Sequence, residues 1–139
     1  MFSLVKIKPC EEHFDETYRL LKLRINSISH NNIPSYEEHK KFVSANPYRY
    51  WFLIEVEKLY IGTTYIKRDN SIGIYIDPKF NAFTREVLKE LLRSFNPLSE
   101  RKSIRNAKFI INVALDDEFL ADTVRDIGGI EIQRTFVLS

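Results

Sequence analysis

The segment from Ile74 to Leu92, IYIDPKFNAFTREVLKELL, joins a β-rich run to an amphipathic helix through a turn marked by Pro78. A helix N-terminus offers N–H groups that lack intrahelical partners, at the positive end of the helix dipole, so such a junction can hold a phosphate. Glycine gives a phosphate the closest approach to backbone, and this turn has none: Asn81, Ala82, Phe83 and Thr84 occupy it. Arg85 and Lys89 follow one turn apart, either as phosphate contacts or as charges on a solvated face. Proton transfer requires titratable side chains. His39 has an intrinsic pKa of about 6.5 suited to that work. Glu55 ends the otherwise apolar run YWFLIE, and Tyr65 and Tyr75 carry phenols that can donate a proton. Trp51, with Tyr48, Tyr50 and Phe52, forms an aromatic group able to stack on a base or sugar, although alternate members must face the core. Asn26, Ser27 and Ser29 supply small polar contacts near the end of the first helix.

The bulk composition narrows what such groups can serve. A chain of 139 residues is read as one domain, residues 1–139; at that size roughly 68% of the unfolded surface is buried. Lys and Arg number 21 against 19 Asp and Glu, a net charge of +2. That balance gives no long-range field toward nucleic acid or an anionic membrane. No run approaches the ~18 apolar residues of a membrane span, and the N-terminus has no signal-length apolar stretch, so the cytoplasm is the expected compartment. Cys10 is alone, and His13 and His30 have no neighbours at metal-ligand spacing, so neither a disulfide framework nor a metal site is expected.

The elements that must position these residues follow from periodicity and punctuation. FSLVKIK alternates and is closed by Pro9, a first strand of about Phe2 to Lys8. Phe14, Tyr18, Leu21 and Ile25 recur at helical spacing to about Asn26. Ser27 to Pro34 reads as a loop. Ser35 and Glu38 form a capping box that opens a second helix ending near Pro47. YWFLIEV, LYIGTTYIK and SIGIYI are three strands of an antiparallel meander. A third helix starts at Thr84 as N-cap, with Val87, Leu88, Leu91, Leu92 and Phe95 as its buried stripe. KFIINVAL is nearly continuous and apolar, the mark of a strand covered on both faces. A helix capped by Asp116 or Asp117 and stopped at Gly128 or Gly129 follows, and IEIQRTFVL closes the chain as a last strand.

The expected order is β-α-α-β-β-β-α-β-α-β: an α/β chain in three layers, with helices on both faces of a mixed, mostly antiparallel sheet. That order, with LKLRINS, the Glu38-His39 pair, YRYWFLIEV, Tyr60 to Gly62, SIGIYID and INVALDDEFLADTVRDIGGIEI, resembles the GCN5-related N-acetyltransferase superfamily over essentially the whole chain. The nearest likeness is to the branch that acylates amino groups on nucleotide-linked sugars.

The resemblance implies transfer of an acyl group from acetyl-CoA or another acyl-CoA to a small polar amine, by direct attack and without a metal. It implies a small-molecule acceptor, no nucleic acid or membrane partner, and a homodimer built through the last strand. It places backbone groups of Ile74 and Ile76 along the pantetheine arm, Asn81, Ala82, Phe83 and Thr84 at the pyrophosphate, and Arg85 and Lys89 near CoA phosphates. Glu55, His39 and Tyr75 become the catalytic candidates, and Asn26, Ser27, Ser29 and Trp51 the substrate contacts. The run RKSIRNAK is read as a phosphate clamp or a charged surface loop. Two departures accompany the match. Ala82 and Thr84 stand where the family's cofactor turn carries glycines, and Val124 stands where many relatives place a tyrosine acid. A non-catalytic binding or assembly domain that has lost acetyl-CoA binding is the alternative reading.

Overall fold

Three β-rich runs separated by two-residue to four-residue turns fold as an antiparallel meander: β2 (Tyr50–Val56), β3 (Leu59–Ile66) and β4 (Ser71–Ile76). Left-handed backbone at Glu57 and Lys58 makes the first turn, and Asn70, at φ 69°, closes the second. The computed structural model describes residues 1–28 and 32–139, the side chains of residues 25–28 excepted. β1 (Ser3–Lys6) pairs antiparallel with β2, and a two-residue β5 (Ile110–Ile111) pairs parallel with β4, giving the order β1-β2-β3-β4-β5.

Helices α1 (Glu11–Ile28) and α2 (Tyr36–Ala45) cover one face. Leu20 and Val43 pack there on Ile7, Trp51 and Leu53, with Tyr48, Tyr65 and Tyr75 partly buried beside them. Helices α3 (Thr84–Ser94) and α4 (Glu118–Asp126) cover the other, where Leu88 and Leu91 meet Phe52, Ile66 and Ile72, and Val87 meets Ile54, Ile61 and Ile76. The period of two in the strands therefore divides the core into two layers. α2 opens on the expected capping box: Ser35 Oγ accepts from Glu38 N at 3.1 Å, and Glu38 Oε1 accepts from Ser35 N at 3.0 Å. α4 starts at Asp117, whose side chain accepts from Leu120 N, and Gly128 at φ 102° lies past its end.

Four expectations are corrected. β1 stops at Lys6, although Ile7 N still donates to Trp51 O at 3.0 Å. KFIINVAL does not form a strand buried on both faces. Only Ile110 and Ile111 pair, and Ile110 is 37% exposed because nothing covers its face. Residues 130–139 form no strand and are exposed, pairing with neither the outer edge of β5 nor the open edge of β4. Thr84 does not cap α3. A 3₁₀ segment, Pro78–Phe83, precedes the helix with a kink at Phe80 (φ −118°); Asp77 caps that segment, and α3 has Phe83 at its N-cap with no side-chain cap hydrogen bond.

Candidate active site

β4 and β5 share only two rungs, Ser71 with Ile110 and Ile72 with Ile111, and then part. The rest of β4, from Gly73 to Ile76, continues without a partner on that side among the described residues. Hydrogen bonds from Lys67 N to Ser71 O (2.9 Å) and from Asp77 N to Ile61 O (2.8 Å) show which residues face β3. Backbone direction alternates along an antiparallel pair, so Ile72, Ile74 and Ile76 turn their N–H and C=O groups the other way, toward the gap. The structure thus sets Ile74 and Ile76 where an extended ligand arm can pair with a strand edge.

The turn at the mouth of this gap is wound tightly. Phe80 N donates to Asp77 O at 2.8 Å and Thr84 N to Asn81 O, so these amides are engaged within the turn itself. Pro78 has no N–H, and the Lys79 N–H is taken by Asp77 Oδ1 at 3.1 Å. Thr84 is buried at 5% exposure, Phe83 packs edge-on to Phe2, and Ala82 is exposed. Asn81 is half-buried. Asp77 therefore caps the first turn of the 3₁₀ segment, before the kink at Phe80, while α3 itself has Phe83 at its N-cap and no side-chain cap.

The opposite side of β4 carries phenols. Tyr75 lies on the α1–α2 face, and its hydroxyl is buried without a hydrogen-bond partner, the one such side-chain atom among the described residues. Burial, and then the charge of Asp77, push its pKa up, against the opposing charges of Arg24 and Arg19. The guanidinium of Arg24 stands 5.9 Å from the Tyr75 ring centroid. Tyr65 lies flat over Gly73, where a Cβ would meet its ring at 2.1 Å, and Tyr48 stacks on Tyr65 at 4.0 Å with an interplanar angle of 4°. Glycine at 73 is what lets the ring sit on the strand.

Other candidates are placed elsewhere. His39 is buried at 5% exposure in the seam between α1 and α2, with Nε2 2.6 Å from Thr17 Oγ1. The hydroxyl donates to the His13 carbonyl at 2.6 Å, so it accepts from the His39 ring N–H. Burial holds the His39 pKa below its ordinary value. Glu55 sits opposite Ser3 and Tyr60, two strands from β4, and accepts from Ser3 Oγ at 3.5 Å. Trp51 is 8% exposed and packs edge-on to Tyr48 and Phe42, a core residue and not a presented stacking platform. Arg85 pairs with Asp126 at 3.2 Å, tying α3 to α4. Lys89 lines a groove of ≈ 430 Å³ with Phe2, Ser3, Leu4 and Arg93, on the β1 side of α3 and away from the gap. Asn26 and Ser27 lie in the last turn of α1 with side chains outside the described residues, and Ser29 lies outside them altogether. The basic run Arg101 to Lys108 is at the closed end of β4: Asn70 Nδ2 donates to Leu98 O (2.9 Å) and Asn106 O (2.7 Å), and Arg105 Nε donates to Ser99 O (2.7 Å). It cannot clamp a phosphate seated at the turn after Ile76. Sequence reasoning had not separated out Asp77, Arg24 or the Tyr48–Tyr65 stack.

No family model matches the chain, and no curated protein matches it. Solved structures do. An aminoglycoside acetyltransferase from an uncultured soil metagenomic sample, in complex with sisomicin, superposes with a TM-score of 0.68 at 13% identity, over 99% of this chain and 95% of that one. The aminoglycoside acetyltransferase AAC(6′)-Iy, in complex with a CoA bisubstrate analogue, gives 0.66 at 11% identity, over 100% and 97%. RimL, the ribosomal L7/L12 α-N-protein acetyltransferase, in complex with coenzyme A, gives 0.64 at 16% identity, over 91% and 78%. At such identities the likeness is one of architecture, and the chain has the fold of these acetyltransferases.

Proposed function

We propose that this chain is an acyl-CoA-dependent N-acyltransferase acting on the amine of a small polar acceptor, with an amino-sugar nucleotide the preferred class. The observation that carries the reading is the parting of β4 from β5 after two rungs, with the backbone of Ile74 and Ile76 directed into the gap. Coenzyme A or an analogue of it is bound in two of the neighbours described above, which supports the gap as the seat of an acyl-CoA.

In the reaction the neutral amine attacks the thioester carbonyl, a C–N bond forms and the C–S bond breaks. A strand N–H beside the gap polarises the carbonyl oxygen where charge develops. The amine gives up one proton to solvent or a base, and the departing thiolate takes one. With Val124 on α4 unable to donate, Tyr75 is the donor we assign: its hydroxyl has no competing partner, and burial keeps it protonated. Glu55 and His39 are not assigned to this step, because one stands two strands away and the other is spent on Thr17.

The self-capped turn favours a second reading, a non-catalytic domain with this fold. Asp77 puts a carboxylate on the first turn of the 3₁₀ segment that leads into α3. We also propose a homodimer formed through residues 130–138. The thermal midpoint with and without millimolar acetyl-CoA separates the two functional readings. Ligand at 100 times its dissociation constant adds about 2.7 kcal/mol, on the order of 5 to 10 °C at this chain length. A shift of that size supports acyl-CoA binding, and no shift supports the second reading.

A further inference from the structure

The β4–β5 gap, on the reading that it seats an acyl-CoA, has a closed inner end, and the side chains that close it bear on the acyl group. Ile72 is the last β4 residue paired to β5, opposite Ile111, so Gly73 is the first residue of the open stretch. A pantetheine arm that pairs with Ile76 and then Ile74 from the mouth inward cannot run past Ile72 within the sheet. Whatever follows the thioester sulfur must leave the sheet plane beside Gly73, toward one face or the other.

Neither face is open there among the described residues. On the α3–α4 side Ile72 lies in a packed cluster with Leu88 and Leu91, to which Ile74, Ile111 and Val124 add. On the α1–α2 side Gly73 has no side chain of its own, but a neighbour takes the space. Tyr65 stands opposite Gly73 in the β3–β4 register, and its Cζ, Cε2 and Oη lie where a Cβ at residue 73 would be. The ring starts on β3 and crosses β4, which makes its phenol end the part nearest the gap.

That ring is held from both sides. Tyr48 stacks on it at 4.0 Å, Trp51 meets Tyr48 edge-on at 4.9 Å, and Phe42 meets both Tyr48 and Trp51 edge-on. Beneath it the strand is fixed by Thr64, fully buried, whose Oγ1 donates to Gly73 O at 2.8 Å. With glycine backbone on one face and Tyr48 on the other, the ring cannot swing aside without unpacking its neighbours. A wall packed in this way resists even one added methylene.

We propose that Tyr65, backed by Tyr48 and seated on Gly73, sets the size of the acyl group: the acetyl thioester fits at Gly73, and butyryl and longer chains are turned away by the phenol end of the ring. A closed apolar wall discriminates one methylene by roughly 10 to 200-fold.

The test is calorimetric titration of the full chain with CoA, acetyl-CoA, butyryl-CoA and hexanoyl-CoA. Acetyl-CoA is expected to bind at least about tenfold more tightly than butyryl-CoA, with hexanoyl-CoA no better than butyryl-CoA. Tyr65→Leu removes the ring and is expected to bring the two shorter thioesters within about threefold of each other. Tyr48→Leu leaves Tyr65 in place without its backing, and is expected to narrow the ratio in part. Each variant is checked for a cooperative thermal transition first. Equal binding of acetyl-CoA and butyryl-CoA by a chain that binds CoA, or a ratio untouched by both substitutions, overturns the proposal and leaves the acyltransfer reading standing. No binding of CoA or of any thioester removes the acyltransfer reading, and this proposal with it.

Discussion

Asp77 Oδ1 accepts the Lys79 N–H at 3.1 Å, so the first turn of the 3₁₀ segment at the mouth of the β4–β5 gap carries the chain's own negative charge. A pyrophosphate at the same place faces repulsion from that carboxylate. Asparagine at 77 keeps the cap acceptor and removes the charge. We expect Asp77→Asn to tighten CoA binding roughly fivefold, the equivalent of about 1 kcal/mol for one charge at a partly exposed site. Calorimetric titration with CoA reads this directly. An unchanged or weakened affinity would mean that the pyrophosphate does not meet this turn.

Tyr75→Phe separates a proton donor from a packing residue. The hydroxyl is buried without a partner, and leaving such a group unpaired costs about 1 to 3 kcal/mol, so its removal is expected to hold or raise the thermal midpoint. The acyl-transfer rate is expected to fall about 10²-fold, the lower range for a lost general acid. Stability and activity then move in opposite directions. A fall in both assigns Tyr75 to the core alone, and an unchanged rate ends its role as the donor.

His39 predicts an acid-side loss of stability. Burial lowers its pKa in the folded protein, against a smaller opposing contact with the Phe14 carbonyl. The unfolded chain therefore takes up the proton first. Stability is complete above about pH 6.5 and falls as pH drops from there toward the folded value, with a slope of at most about 1.4 kcal/mol per pH unit from this group. His39→Gln keeps an N–H to offer Thr17 Oγ1 and cannot titrate. Thermal midpoints between pH 5 and pH 8 should show a shallower acid decline in the variant, and equal declines would show that His39 does not govern it.

What the sequence made legible was what is decided locally. The capping box of Ser35 and Glu38, the meander and the Asp117 cap depend on neighbours a few residues away, and the structure contains them. The Pro78 turn and the start of α3 at Thr84 are where the sequence puts them, while the capping role of Asp77, followed by Pro78, belongs to the 3₁₀ segment between them. His39 shares a face of α2 with Val43, four residues on, and both are buried; that spacing was the signal of a core histidine. β5 and residues 130–139 could not be read locally, since strand propensity is expressed only against an edge.

Residues 130–138 make the last prediction. Ile130, Ile132, Phe136 and Leu138 share one parity, interrupted by Arg134, and are 73% to 94% exposed, while Glu131, Gln133, Thr135 and Val137 fill the other. That is the pattern of a strand with one buried face, here without a partner. β5 pairs with β4 on one side only, and Ile110 beside it is partly uncovered. Two copies that exchange these segments would give each β5 an edge partner and remove the apolar residues from water. Sedimentation at micromolar concentration is expected to give a species of twice the 16.5 kDa chain mass. Truncation after Gly129, or Ile132→Asp, should reduce it to one chain without loss of the helical signal. A single-chain species for the intact protein would show that the segment does not join two copies.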